Sequence, residues 1–209
     1  METTRDTKVK PVVSLEEFFR NSVSSAMSRQ GVSADDHTEY YVVNLLTLFA
    51  RSEVLYEGSE EGRSLKPLAL ILAEAMEART AEERNFALQR IGDISLFIAG
   101  FFGESLARRQ VDVDYYVRMG GSAYGSLSEH IRGSVRGQIF TAVFAELAAK
   151  FRDFVDVLTE VRDEARGNDD IDILRLYDVW LKTGSKRAER TLRRLGIEPN
   201  RTLDGMRQH

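Results

Sequence analysis

Residues 91–125 read IGDISLFIAGFFGESLARRQVDVDYYVRMGGSAYG, and the fold turns on how this stretch is interpreted. Six glycines sit here among strong helix formers. A glycine inside a helix costs about 1 kcal/mol relative to alanine, so the cluster needs a reason. Close helix packing, a broken helix or a ligand site would each supply one. Just upstream, Thr80-Ala-Glu-Glu83 is a capping box, in which threonine and glutamate satisfy each other's backbone donors. Phe86, Ile91, Ile94, Ile98 and Phe102 then hold helical spacing, and after Ile94 the run is apolar on every side. That pattern predicts a central, covered helix over Ala81–Leu106. A turn near Gln110–Asp112 leads to a further helix from about Asp114.

Helical periodicity extends outward in both directions, and no alternating strand pattern interrupts it. Ser14-Leu-Glu-Glu17 is a second capping box, opening a helix that buries Leu15, Phe18, Phe19 and Val23 and ends near Gly31. Another helix starts after Ser33 and runs through EYYVVNLLTLFARSEVLY, followed by an acidic loop at Glu57–Gly62. Pro67 suits a helix's first turn, and Leu68, Leu72 and Met76 would carry that helix's apolar face. From Gly137 to Gly167, apolar residues at 140, 144, 147, 151, 154, 158, 161 and 165 alternate four- and three-residue steps. The spacing predicts one spine over Gly137–Arg166, about 45 Å long at 1.5 Å per residue. Asn168–Asp170 would cap a helix holding Leu174, Tyr177 and Trp180, and a short last helix over Lys186–Leu195 stops at Gly196, with Pro199 beyond. The fold expected is all-α: a single-domain bundle of about eight helices with one buried central helix and one long helix. Residues 1–13 are expected to be a flexible N-terminal segment, 14–196 the bundle and 197–209 a C-terminal tail.

The bulk composition narrows the chemistry. A net charge of −4 over 209 residues gives no general attraction to nucleic acid or anionic membranes. There is no cysteine, which removes disulfides, thiolate metal sites and cysteine nucleophiles. METTRDTKVK has no apolar core of a signal peptide, and the apolar runs Leu68–Ala73 and Ile94–Phe102 fall short of the roughly 20 residues of a span. A cytoplasmic protein without membrane insertion is expected.

Motifs for catalysis are missing. The residues three before His37 and His130 are Ala34 and Leu127, so no Glu-x-x-His di-metal pair is present, and HExxH is absent as well. Phosphate-loop, GxSxG and GxGxxG patterns are missing. Asp35-Asp-His-Thr-Glu39 and Asp169-Asp-Ile-Asp172 superficially match aspartate-rich magnesium sites, but acids opening a helix also cap free N–H groups and complement its dipole. The capping reading is preferred, and no metal and no cofactor are expected.

Two surfaces remain candidates. One gathers Asp93, Arg108, Arg109, Asp112, Asp114, Tyr115, Tyr116, Gly120, Gly121, Tyr124 and Gly125. Its arginines and aspartates suit helix ends, and its glycines suit either close packing or a groove for a ligand or partner helix. A buried Asp93 would need Arg90, Arg108 or a tyrosine hydroxyl as partner. The other is a basic face of the last helix, Lys186, Arg190, Arg193 and Arg194, beside an apolar stripe of Ala188, Leu192 and Leu195.

GDISLFIAGFF, then VDVDYYVRMGGSAYGSL, then YDVWLKTGS together resemble signatures of an uncharacterised bacterial family of all-helical hypothetical proteins, over roughly residues 38–200. The resemblance implies a bacterial cytoplasmic protein and transfers no activity, cofactor or site residue. The residues themselves favour a non-enzymatic interaction or regulatory protein acting through protein–protein contacts, with a homodimer as one form. The alternatives are a small-molecule binder or enzyme with a pocket near residues 93–124, and a nucleic-acid-associated regulator using the basic helix. Nucleic acid is the less favoured partner.

Overall fold

The computed structural model describes residues 14–50, 67–108, 112–133, 137–166, 173, 176, 177, 180 and 184–199, without the side chains of 104–108 and 166. Eight helices are bounded among them: α1 (Leu15–Gln30), α2 (Asp36–Phe49), α3 (Leu68–Glu77), α4 (Ala81–Arg108), α5 (Val113–Ile131), α6 (Gln138–Ala149), α7 (Phe151–Arg166) and α8 (Lys186–Arg194). Ile173, Leu176, Tyr177 and Trp180 are also helical, and no strand occurs among the described residues. The chain is a single-domain all-helical bundle.

Local sequence sets the helix ends. The Glu83 N–H donates to Thr80 Oγ1 at 3.1 Å while Glu83 Oε2 accepts from the Thr80 N–H at 3.3 Å, closing the box that starts α4. Ser14 caps α1 by accepting from the Glu17 N–H at 3.1 Å. α1 ends on Gly31 and the turn after α8 on Gly196, with φ of 67° and 82°, a left-handed geometry that only glycine adopts without strain.

The core forms around α4, which packs against α2, α3, α5 and α7. Ile91, Ile94, Leu96, Phe97, Ile98 and Ala99 of α4 are all buried, and each large side chain among them contributes about 1.5–3 kcal/mol of burial. Ala81–Gly103 is long and apolar enough to span a membrane by composition, yet 67% of its apolar window is buried inside the bundle. A core helix accounts for that composition.

Three of the six glycines are there because a neighbour leaves no space. A Cβ on Gly92 would lie 2.7 Å from Tyr124 Cζ, on Gly100 2.5 Å from Leu158 Cβ, and on Gly120 2.7 Å from Ser95 Cβ with the Phe151 ring nearer still. These contacts let α5 and α7 close onto α4. At Gly103, Gly121 and Gly125 the nearest atoms would be 3.7–3.8 Å away, ordinary contact distance.

Several expectations are corrected. The spine over Gly137–Arg166 is two helices, broken at Lys150, where φ is −109° and ψ is 24°. No proline or glycine causes the break. α6 packs on α5 and α2 whereas α7 packs on α4 and α1, so the two halves of the seam serve different neighbours. Lys150 Nζ ties the break to the α1–α2 turn by donating to the Ser33 carbonyl at 2.6 Å and to Glu146 Oε1 at 2.8 Å. The long helix is α4, with 28 residues. α3 buries Leu68, Ile71 and Ala75, and Met76 is 76% exposed. Phe86, Phe102 and Phe140, expected in the core, are exposed by 65%, 46% and 51%. Ile197, placed in the tail by the sequence, is buried. The N-terminal segment, the Glu57–Gly62 loop, the Asn168–Asp170 cap, Asp169–Asp172 and residues 200–209 lie outside the described residues, apart from the bounds given above.

Candidate functional site

Asp93 sits near the middle of α4, opposite Tyr41 of α2 and Tyr124 of α5. Its Oδ1 accepts from the Tyr41 hydroxyl at 2.7 Å and from the Tyr124 hydroxyl at 2.6 Å. Gln89 Nε2, one turn earlier on α4, donates to the Tyr41 oxygen at 3.0 Å. The Tyr124 ring stacks on Phe144 with centroids 5.5 Å apart, and Tyr41 meets Phe144 edge-on at 5.3 Å. Three helices thus contribute one polar knot inside an aromatic wall. Of the partners the sequence offers for Asp93, tyrosine hydroxyls are observed at hydrogen-bond distance.

Electrostatics follow from that enclosure. Burial pushes the Asp93 carboxyl up to about 6, against the opposing pull of the Tyr124 and Tyr41 hydrogen bonds and the Arg90 charge. Burial and then the nearby Asp93 carboxylate raise both tyrosines well above the usual phenol range. Such a knot keeps Asp93 protonated up to about pH 6, above the ordinary carboxylate range, and keeps both phenols protonated as donors.

The remaining candidates do not converge on it. Asp112 caps α5 by accepting from the Asp114 N–H at 2.8 Å and lies 4.0 Å from Arg118. Asp114 pairs with Arg152 of α7 at 2.7 Å. Tyr115 and Tyr116 form an edge contact with centroids 5.4 Å apart, Tyr115 exposed and Tyr116 half-buried with its phenol raised by burial and by Tyr115. Gly120 and Tyr124 are buried in the α4–α5–α7 contact, and Gly121 and Gly125 face Phe151 and Ala148 at ordinary distance. Arg108 closes α4 with its side chain outside the described residues, as is the whole of Arg109.

The basic face of α8 is real, with Lys186, Arg190, Arg193 and Arg194 all exposed and Ala188 and Leu192 buried beneath. Part of its charge is already paired: Arg193 lies 3.1 Å from Glu189 and 2.9 Å from Glu198. Asp35 caps α2 and accepts from the His37 N–H at 2.9 Å, the helix-end role preferred for it. Among the described residues, no group of three His, Asp or Glu side chains could hold a metal ion.

A surface not anticipated from the sequence lies at the start of α4. Glu82, Asn85, Phe86 and Gln89 line a groove of about 450 Å³ together with Leu127 and Ile131 of α5, Gly137 before α6, and Phe140 and Phe144 of α6. A second groove of about 550 Å³ shares Phe86 and is lined by Glu74 and Glu77 of α3, Ala78, Arg79, Glu83 and Ala87. Phe86 is the ridge between two lobes. Among the described residues their walls carry four carboxylates against one guanidinium. Gln89 and Phe144 belong both to the first lobe and to the surroundings of Asp93. The signal was present at Phe86, which shares a helical stripe with Glu82, Asn85 and Gln89 rather than with the buried Ala87, Leu88 and Ile91. Comparison with protein-family models, curated proteins and solved structures finds no match to this chain.

Proposed function

We propose that this chain is a non-catalytic interaction protein of the aqueous phase, whose working surface is the two-lobed groove around Phe86. The observation that carries the reading is a phenylalanine 65% exposed between two concave lobes, with the half-exposed Phe140 on the facing wall. Both rings remain largely exposed, and exposed apolar clusters rimmed by charge mark sites of association. The occupant is the apolar face of an amphipathic helix from another protein, laid in the groove with basic residues along its flanks. Charge selects it over a second copy of this chain. Pairing two copies face to face would bring Glu74, Glu77, Glu82 and Glu83 against their own equivalents, whereas a basic-flanked helix meets them with opposite sign.

The test uses the full chain and a fluorescein-labelled amphipathic helical peptide of leucine and lysine. Fluorescence anisotropy is expected to show saturable binding that Phe86→Asp and Phe140→Asp each weaken by about tenfold or more, without loss of helical circular dichroism. Equal binding by wild type and both variants, or none by wild type, overturns the reading. Light scattering in parallel reports whether the free chain self-associates through the same face.

A further inference from the structure

Glu82, Asn85, Phe86 and Gln89 follow one stripe of α4, and all four line the first lobe. Their hydrogen-bonding states differ. Gln89 is engaged with Tyr41. The neighbouring Glu83, on the other lobe, accepts from the backbone of Arg79 and Thr80. The Asn85 side-chain Oδ1 is enclosed without a donor among the described residues. Among the described residues, Glu82 is the sole ionisable group lining this lobe, it is exposed, and no ion pair or hydrogen bond engages its carboxylate. The rest of the wall is aromatic and aliphatic, with Phe86 and Phe140 at its exposed edge and Leu127, Ile131 and Phe144 deeper.

An acid beside two exposed rings, in a concave lobe otherwise uncharged among the described residues, suits a side chain that is aliphatic along its stem and cationic at its tip. We infer that the partner helix is anchored in this lobe by a basic residue, lysine or arginine, whose methylenes lie on Phe86 and Phe140 and whose charge meets the Glu82 carboxylate. The inference rests on the interaction reading above and names what that interaction selects. A flexible methylene stem covers apolar surface while its head keeps partial hydration, so the lobe is filled without burying a bare charge. The rings add a cation–π attraction to either head group.

A host peptide with a leucine stripe, a neutral polar face and one guest position beside the stripe separates this inference from the reading beneath it. Guests are lysine, arginine, norleucine and glutamate, titrated against the full-length chain. Wild type is expected to bind the lysine and arginine peptides about fivefold or more tighter than norleucine, with glutamate weakest and the preference shrinking as salt rises. Glu82→Gln should level the series while keeping the norleucine affinity, and Glu82→Lys should reverse it in favour of glutamate. Equal binding of all four peptides to wild type, or a preference that survives Glu82→Gln, overturns the anchored cation alone. Failure of every peptide to bind overturns the interaction reading and the anchor with it.

Discussion

Replacing Asp93 with asparagine should stabilise the protein at neutral pH and leave it nearly unchanged in acid. The carboxyl is held by the Tyr41 and Tyr124 hydroxyls, and burial lifts it from an ordinary 3.8 to about 6. Below the lower value the carboxyl is protonated in both folded and unfolded chains, so ionisation contributes nothing to stability. Between the two values the unfolded chain has released its proton while the folded chain retains it, so stability falls as pH rises. Above about 6 both are ionised and the full penalty is present. A shift of this size corresponds to about 3 kcal/mol. Asparagine keeps an acceptor for the two tyrosine hydroxyls and carries no charge to enclose.

Urea unfolding followed by circular dichroism, run on wild type and Asp93→Asn at several values between about pH 4 and pH 8, measures this directly. The difference between the two proteins is the quantity to plot, because other carboxylates act with the opposite sign. Hydrogen bonds from Gln30 and Arg29 hold Glu160 below its usual range, and the His37 N–H does so for Asp35, so their stabilisation is lost as pH falls. Those contributions are common to both proteins and cancel. The variant should gain stability with rising pH up to about pH 6–7 and then level off. A difference that is flat across the range, or a variant less stable at pH 8 than at pH 4 relative to wild type, refutes the argument from burial.

Alanine at the glycines should divide them into two groups. Gly120→Ala drives a methyl into Phe151 and Ser95, and overpacking of this kind costs about 1–3 kcal/mol, whereas Gly121→Ala and Gly125→Ala meet nothing closer than 3.7 Å and should gain up to about 1 kcal/mol of helix propensity. Thermal melts check the signs, with 1 kcal/mol moving Tm by about 2–4 °C in a chain of this size. Alkaline titration of phenol absorbance should leave Tyr41 and Tyr124 protonated until the fold opens, and Tyr124→Phe should remove one of the late-titrating groups; two phenols titrating with exposed ones would show that the Asp93 knot is open to solvent.

Helix ends and the central helix were legible because each is determined locally. A capping box needs only four residues, and Thr80–Glu83 closes as read; Gly31 and Gly196 end their helices for reasons of backbone geometry alone. The all-apolar run after Ile94 had to be covered by something. Lys150 was not legible. Its residue type is a good helix former, the seam continues through it, and the break arises because α6 and α7 face different neighbours. Periodicity reports that a face is apolar and is silent on a change of partner halfway along it. In α3, 68-72-76 and 68-71-75 are both valid helical stripes, and the covering by α4 chose the second.

The candidate site shows the same limit from its other side. Asp93 and Tyr124 could be picked out because an acid and a phenol in an apolar run must find partners, and each found the other, but Tyr41 lies 52 residues from Asp93 in sequence and no local pattern joins them. The groove escapes the sequence for a sharper reason. Residue type and helical spacing point Phe86, Phe140 and Met76 to the core, since an apolar side chain at helical spacing is buried more often than not. What separates Phe86 from Ile91 is company: Phe86 shares its stripe with Glu82, Asn85 and Gln89, so burying that stripe inside a monomer would enclose an unpaired acid. A stripe that is apolar at one position and polar at three cannot be core. It can be a surface that waits for a partner bringing its own polar groups. The polarity around an apolar residue, rather than the residue itself, is therefore what marks this face as unfinished.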